Sequence, residues 1–262
     1  MAQAVSIYKK DILAMKSNPK IEIVSNPETL AQRTTEIFIS QIRKTLEIRD
    51  SFFVAFSGGN TPKRFFELLG TSPESKALPW DKIHLFWVDE RYVPPTSTQN
   101  NYKMAVDTFL NKVDIPKDNI HRIPTEFDDI DIAAQKYEET IKAVFKLEEN
   151  QKPAFDLIML GMGSDGHTAS LFPDSYKSID MNKLACAVHQ NNDKLNRITL
   201  TSSVLCNSNN IIVMVQGKEK AEVLKEVFAN NSDDIRYPIQ ILWPVLEKVT
   251  WLIDKEASGN FE

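Results

Sequence analysis

The sequence FDLIMLGMGSDGH, residues 155–167, carries an apolar strand directly into a glycine-rich loop. Residues 52–62, FFVAFSGGNTP, repeat this arrangement earlier in the chain. A strand that enters a glycine turn and then a helix leaves free backbone N–H groups, and the helix dipole points at the same place. One such loop is common. Two of them, one ending in Asp-Gly-His, predict a phosphate site and a proton-transfer group at the same sheet edge.

Short apolar runs alternate with longer helical patterns outward from these two loops. Besides residues 52–56 and 155–160, the runs predict strands at residues 21–24, 83–88, 184–188, 198–200, 211–215 and 249–253. The helical patterns cover residues 27–48, 62–70, 101–112, 131–149 and 218–229. Strands without polar alternation, separated by helices, indicate a mostly parallel sheet that helices cover on both faces. We therefore expect a single α/β domain over residues 21–262, after an N-terminal extension at residues 1–20.

Composition argues against several classes of function. The chain has 262 residues, a formal net charge of −5 and no block of Lys and Arg, which argues against binding to nucleic acid. Its apolar runs are too short to span a bilayer, and the first residues lack the apolar core of a secretory signal. Cys186 and Cys206 are the only cysteines and have no metal or redox spacing. We therefore expect a cytoplasmic protein, in which both thiols stay reduced.

The first glycine loop is a candidate phosphate cradle. Glycine lets the backbone approach an oxyanion closely, and the two hydroxyls of the loop add donors. The candidate residues are Ser57, Gly58, Gly59, Asn60 and Thr61. Thr61 is also expected to cap the helix that starts at Pro62. An ordinary strand-to-helix turn is an equally good interpretation of this segment alone, and the Gly-Lys-Ser/Thr ending of a Walker loop is missing.

The second glycine loop satisfies the pattern G-x-G-x-x-G after a strand. A dinucleotide site also needs an acidic residue about 20 positions later that closes a second strand, and Asp180 lies outside any buried strand. A serine-hydrolase elbow needs a glycine where Met162 stands, so Ser164 is a poor nucleophile candidate.

His167 is the strongest catalytic candidate, at a point where we expect a helix to begin. An unperturbed imidazole, with a pKa of ~6.5, is mostly neutral near pH 7 and can accept a proton from water. Asp165, two residues earlier, could orient the ring. The alternative is a histidine that only caps the loop.

Four charged residues supply further candidates. Asp89 could hold sugar hydroxyls or act as a base, and Arg91 could bind a phosphate or stabilise an oxyanion. Arg197 and Lys220 could supply the local positive charge that the net charge of −5 does not. Solvated surface charges are the alternative for all four.

Three segments resemble the signatures of the 6-phosphogluconolactonases, in the family that also contains the glucosamine-6-phosphate isomerases. They are SGGNTP at residues 57–62, WVDERYVP at 87–94 and GMGSDGHTASLFP at 161–173. Residues 197–201 and 217–220 resemble two weaker signatures, so the likeness extends from about residue 20 to residue 255. Arg91 and the Leu-Phe-Pro of 171–173 favour the lactonases over the isomerases and deaminases. Asn60 departs from the small residue that is usual there.

The resemblance implies a Rossmann-like α/β fold. It also implies hydrolysis of 6-phospho-D-glucono-1,5-lactone to 6-phosphogluconate in the oxidative pentose phosphate pathway, without a metal or another cofactor. In the mechanism that we expect, the glycine loop, Arg197 and Lys220 hold the phosphate, and His167 activates water. Arg91 or backbone N–H groups stabilise the oxyanion. The expected partner is therefore a small phosphorylated sugar lactone, and a monomer is expected. The rival functions are an aldose–ketose isomerase or deaminase with Asp89 as base, and a sugar-phosphate sensor.

Overall fold

The computed structural model describes residues 19–190, 194–229 and 235–259. Residues 1–18, most of the expected N-terminal extension, lie outside the described residues. The strands are β1 Lys20–Val24, β2 Phe52–Phe56, β3 Ile83–Trp87, β4 Asp89–Arg91, β5 Ile120–His121, β6 Leu157–Gly161, β7 Ala185–Val188, β8 Arg197–Leu200, β9 Ile211–Val215 and β10 Val249–Asp254. The α-helices are α1 Pro27–Leu46, α2 Asn60–Thr71, α3 Pro73–Lys76, α4 Asn101–Thr108, α5 Ile130–Phe145, α6 Ser202–Asn207, α7 Ala221–Ala229 and α8 Lys255–Ser258.

Seven strands form a parallel main sheet in the order β1-β10-β9-β6-β2-β3-β5. Every residue of β9 is buried, as are the first four residues of β6. Side chains alternate between the two faces of a strand, so burial of successive residues means that both faces of the sheet are covered. The expected α/β fold with a mostly parallel sheet is confirmed.

Local sequence signals account for the long helix α1. The Oδ1 of Asn26 accepts a hydrogen bond of 2.9 Å from the backbone N–H of Thr29, and Pro27 occupies the first helical position. Such a cap stabilises a helix by about 1 kcal/mol. The apolar stripe with Leu30, Phe38 and Ile42 is fully buried, which fixes the face that α1 presents to the sheet.

Two predicted strands do not join the main sheet. The regions 184–188 and 198–200 pair antiparallel with each other, and β8 also pairs with β4, giving a second sheet in the order β4-β8-β7. Val88 connects the two sheets, since its N–H donates to Phe56 of the main sheet and its carbonyl accepts from Leu200 of the second. Apolar runs identify buried strands, but they do not say which sheet a strand joins.

Several helix boundaries differ from the predicted ones. The predicted helix 101–112 is divided into α4 and a 3₁₀ turn, Leu110–Lys112, and the helix predicted at 218–229 begins with a 3₁₀ turn, Lys218–Lys220. The helix predicted at 131–149 is α5, which begins one residue earlier because Asp129 caps it by accepting from two backbone N–H groups. Ile130 therefore joins the buried face, while Ile132, expected on the inner face, is 47% exposed. The helix ends at Phe145, four residues before the predicted end, because Lys146 adopts a left-handed conformation.

Candidate active site

A cleft of about 450 Å³ opens where β2, β6 and β9 end and the second sheet begins. Its walls contain the sequence-predicted residues Ser57, Gly58, Gly59, Asn60, Thr61, Asp89, Arg91, His167, Arg197 and Lys220. Asp165 completes the group through its contact with His167. Parallel strands end at one edge of a sheet, so loops that are distant in the sequence meet there.

His167 and Asp165 form a close pair. The Nδ1 of His167 lies 2.5 Å from the Oδ1 of Asp165, and the backbone N–H of His167 donates to the same oxygen at 3.1 Å. Burial acts to raise the pKa of Asp165, but the hydrogen bonds and charge of His167 outweigh it and lower the pKa to about 2. The carboxylate is therefore ionised near neutral pH and fixes the ring, which leaves Nε2 for chemistry.

Glycine at position 163 makes this pair possible. A Cβ at Gly163 would lie 2.1 Å from the Nδ1 of His167 and 2.6 Å from the Oδ1 of Asp165. Gly166 has a positive φ of 75°, and a Cβ there would collide with the ring of Tyr237 at 2.5 Å. The loop thus turns tightly enough to fold Asp165 back onto His167.

No helix begins at His167, so that expectation is wrong. The backbone instead makes a tight turn in which the N–H of Leu171 donates to the carbonyl of Thr168 at 2.9 Å. Ala169, inside this turn, has a positive φ of 50°. A continuous right-handed helix cannot contain that conformation.

The first glycine loop offers unpaired donors to the cleft. The backbone N–H groups of Gly58 and Gly59 make no hydrogen bond within the described part of the chain. The Oγ of Ser57 is buried and has no partner there either. Gly59, with a φ of 100°, is the N-cap of α2 and provides no side-chain cap. Thr61 lies inside α2, so the expected capping role of Thr61 is wrong.

Arg91 and Arg197 face each other across β4 and β8, where they are directly paired in the register. Arg91 donates through Nη1 to the carbonyl of Gln99 at 2.9 Å, whereas the buried Nη1 of Arg197 has no partner among the described residues. Burial lowers the pKa of Arg197, and the charge of Arg91 adds to this effect, while Asp89 and Glu90 oppose it. Like charges directly opposite each other are destabilising, so a bound anion would relieve their repulsion.

The two carboxylates beside Arg91 have different environments. Asp89 is buried, and its Oδ2 accepts a hydrogen bond of 2.6 Å from the Oγ of Ser170. Glu90 accepts from the backbone N–H groups of Arg91, Asn101 and Tyr102. Burial raises the pKa of Glu90 to about 7, against these three hydrogen bonds, which lower it. Because it accepts from the N–H groups of Asn101 and Tyr102, Glu90 anchors the start of α4.

Several residues at the cleft were not among the predicted site residues. Asn101 donates through Nδ2 to the carbonyl of Asp89 at 2.9 Å, and its buried Oδ1 fills the space that a Cβ on Gly58 would need. Ser170 binds Asp89, and the ring centroid of Phe172 lies 4.8 Å from that of His167. Ser170 and Phe172 belong to the segment after Asp-Gly-His, which could have drawn attention to them. Asn101 belongs to none of the sequence motifs described above, so nothing in the sequence points to it.

Among residues 19–190, 194–229 and 235–259, no group of three or more His, Cys, Asp or Glu side chains is placed to hold a metal ion. In the same ranges, no helix combines the length and apolar character needed to cross a bilayer.

Comparison with known proteins agrees with this geometry. The family model described as glucosamine-6-phosphate isomerases/6-phosphogluconolactonase matches residues 25–251. A 6-phosphogluconolactonase of Synechocystis is 38% identical over 92% of this chain and 98% of its own length. One of Nostoc is 36% identical over 92% and 97% of the two chains.

Solved structures give the same result. The structure of 6-phosphogluconolactonase from Trypanosoma cruzi aligns with a TM-score of 0.82 and 28% identity, covering 92% of this chain and 96% of that one. The chain therefore belongs to the family of the glucosamine-6-phosphate isomerases and 6-phosphogluconolactonases.

Proposed function

We propose that this chain hydrolyses 6-phospho-D-glucono-1,5-lactone to 6-phospho-D-gluconate, the lactonase step of the oxidative pentose phosphate pathway, with His167 as general base. The His167–Asp165 pair, in a cleft with Arg91 and Arg197 as cations, is the observation that carries the proposal. The curated relatives named above are lactonases, whereas the family model covers isomerases as well. Their identity over most of the chain favours the lactonase.

The substrate phosphate is held by the glycine loop. The N–H groups of Gly58 and Gly59, which have no partner among the residues that the structure describes, precede α2. They suit a phosphate because these donors and the helix dipole act together. Ser57, Asn60 and Thr61 line the same wall. Lys220, in the 3₁₀ turn that follows β9, and Arg197, the first residue of β8, add positive charge. This anchoring orients the lactone so that its C1 lies near His167.

The reaction needs only proton transfer and positioning. The Nε2 of His167 removes a proton from a water molecule whose oxygen attacks C1. The oxyanion collapses, the bond between C1 and the ring oxygen breaks, and His167 returns its proton to that oxygen. Asp165 orients His167 and stabilises the imidazolium formed in between. General base catalysis contributes about 10²–10⁴-fold, which suffices for a reactive δ-lactone without a covalent nucleophile.

A coupled assay tests this function. Fresh lactone is supplied, and the formation of 6-phosphogluconate is followed with an NADP-dependent 6-phosphogluconate dehydrogenase, after subtraction of spontaneous hydrolysis. We expect the protein to accelerate hydrolysis, and His167→Ala to remove most of the acceleration. His189→Ala is the matched control, because His189 is 64% exposed and outside the cleft. Hydrolysis no faster than the spontaneous reaction contradicts the proposal.

Product analysis with amino-sugar and ketose phosphates tests the rival activity. Release of ammonia or isomerisation, with Asp89 as the base, would identify a deaminase or isomerase instead. The proposal also includes a monomeric cytoplasmic enzyme that needs no metal. Analytical ultracentrifugation checks the monomer, and undiminished turnover after dialysis against EDTA checks the metal independence.

A further inference from the structure

Ala169 has an unusual backbone for its residue type. Its φ of 50° lies in the left-handed region, which L-residues other than glycine rarely adopt. Ala169 lines the cleft two residues after His167. Strained backbone at a cleft persists only where the surrounding structure holds it, and it is found preferentially where it serves chemistry.

The neighbours of Ala169 hold it from both sides. Thr168 donates through Oγ1 to the carbonyl of Gly161 at the end of β6, at 2.9 Å. Ser170 is bound through Oγ to Asp89 of β4 and through its backbone N–H to the Oγ1 of Thr199 in β8. The turn is thus tied to both sheets, which prevents Ala169 from relaxing.

The backbone N–H groups of this turn differ in whether they make a hydrogen bond. Those of Ser170 and Leu171 are used, by Thr199 and by the carbonyl of Thr168 respectively. The N–H of Ala169 makes no hydrogen bond to any residue that the structure describes. A donor that is fixed, unused and next to the general base has the properties that oxyanion stabilisation requires.

We propose that the backbone N–H of Ala169 donates a hydrogen bond to the C1 oxygen of the lactone as that oxygen becomes negatively charged. The inference rests on the proposed function, and it names the oxyanion donor that this function requires. Arg91 is the competing candidate. Its Nη1 is already engaged with Gln99, and its cross-strand pairing with Arg197 suits it to bind a ground-state anion.

Replacement of one backbone amide by an ester tests the donor directly. In Ala169→lactic acid, introduced by ligation or by nonsense suppression, the N–H becomes an oxygen and the side chain is unchanged. We expect kcat to fall about 10²–10³-fold, with little change in KM, because the oxyanion exists only in the transition state. Arg91→Met should instead raise KM more than it lowers kcat.

The control variant has an ester at position 171 instead, where leucic acid replaces Leu171 and its N–H becomes an oxygen. The ester at Ala169 also weakens the Thr168 carbonyl as an acceptor for the N–H of Leu171, and the control removes this same hydrogen bond. A kcat of the Ala169 ester no lower than that of the Leu171 ester overturns the inference. Turnover by the unmodified protein tests the proposed function independently, so the two failures are distinguishable.

A measurement on the unmodified protein covers the case in which an ester variant does not fold. The product carboxylate carries an oxygen where the oxyanion forms. With ¹⁵N-alanine labelling, saturating 6-phosphogluconate should move the Ala169 amide proton downfield and slow its exchange with solvent. An Ala169 amide signal that stays in place at saturation overturns the inference.

Discussion

The Nδ1 of His167 lies 2.5 Å from the Oδ1 of Asp165, and Gly163 provides the space that this contact needs. The imidazole is therefore held by a residue two positions earlier in the sequence, whereas the cations Arg91 and Arg197 reach the cleft from distant segments. The fixed orientation suits His167 to the role of general base that we propose, because proton transfer depends first on the geometry of the base.

Removal of the imidazole should lower kcat and leave binding almost intact. We expect His167→Ala to reduce kcat by about 10²–10⁴-fold with little change in KM. Asp165→Asn should reduce kcat less than His167→Ala does, since the ring remains but loses its charged partner. Steady-state kinetics with fresh lactone measures both. An unchanged kcat in His167→Ala would remove this residue from the chemistry.

Two glycines of the same loop should respond differently to alanine. In Gly163→Ala the new Cβ meets His167 at 2.1 Å, so the ring must move, and displacement of a catalytic group by about 1 Å can cost about 10²-fold in rate. Gly161→Ala is the matched control, because its Cβ meets no atom closer than 4.0 Å. Kinetics and thermal unfolding of the two variants are compared. Equal kcat values would contradict the packing argument.

The cations of the cleft should act on binding. We expect Arg197→Ala and Lys220→Ala to raise KM by about 10- to 100-fold, the loss typical of a hydrogen bond to a charged group, with a smaller effect on kcat. Lys218→Ala is the control, since Lys218 is exposed in the same 3₁₀ turn and does not line the cleft. If KM stays constant in both variants, the phosphate lies elsewhere.

A histidine pair far from the cleft should make stability depend on pH. His84 and His121 stand 3.1 Å apart, stacked on Phe53 and Phe86 respectively. Burial lowers the pKa of His121 to about 4, with His84 adding to the effect and Asp118 opposing it. Burial also lowers the pKa of His84.

The unfolded chain therefore binds more protons than the folded one between about pH 6.5 and 4. The free energy of unfolding should fall as the pH is lowered through this window. His121→Gln should reduce that dependence, and His189→Gln should not. Urea unfolding at several pH values measures it, and identical slopes for the protein and His121→Gln would refute this origin.

Local sequence was sufficient for some elements and insufficient for others. The helix at Pro27 followed from a cap, a proline and an apolar stripe, which act within a few residues. The expected helix at His167 failed because Thr168 and Ser170 bind Gly161 and Asp89, partners that periodicity does not reveal. Asn101 was missed for the same reason, since its role depends on contact with Gly58 across the fold.

Neighbouring residues and side-chain periodicity are enough to specify the buried strands of the main sheet, the two glycine loops at their ends and the pairing of Asp165 with His167. The complete fold is needed to place Asp89–Arg91 outside the main sheet, Arg91 opposite Arg197 and Ala169 in a left-handed turn. Those features arise from hydrogen bonds between segments far apart in the chain, whose pairing depends on the complete fold.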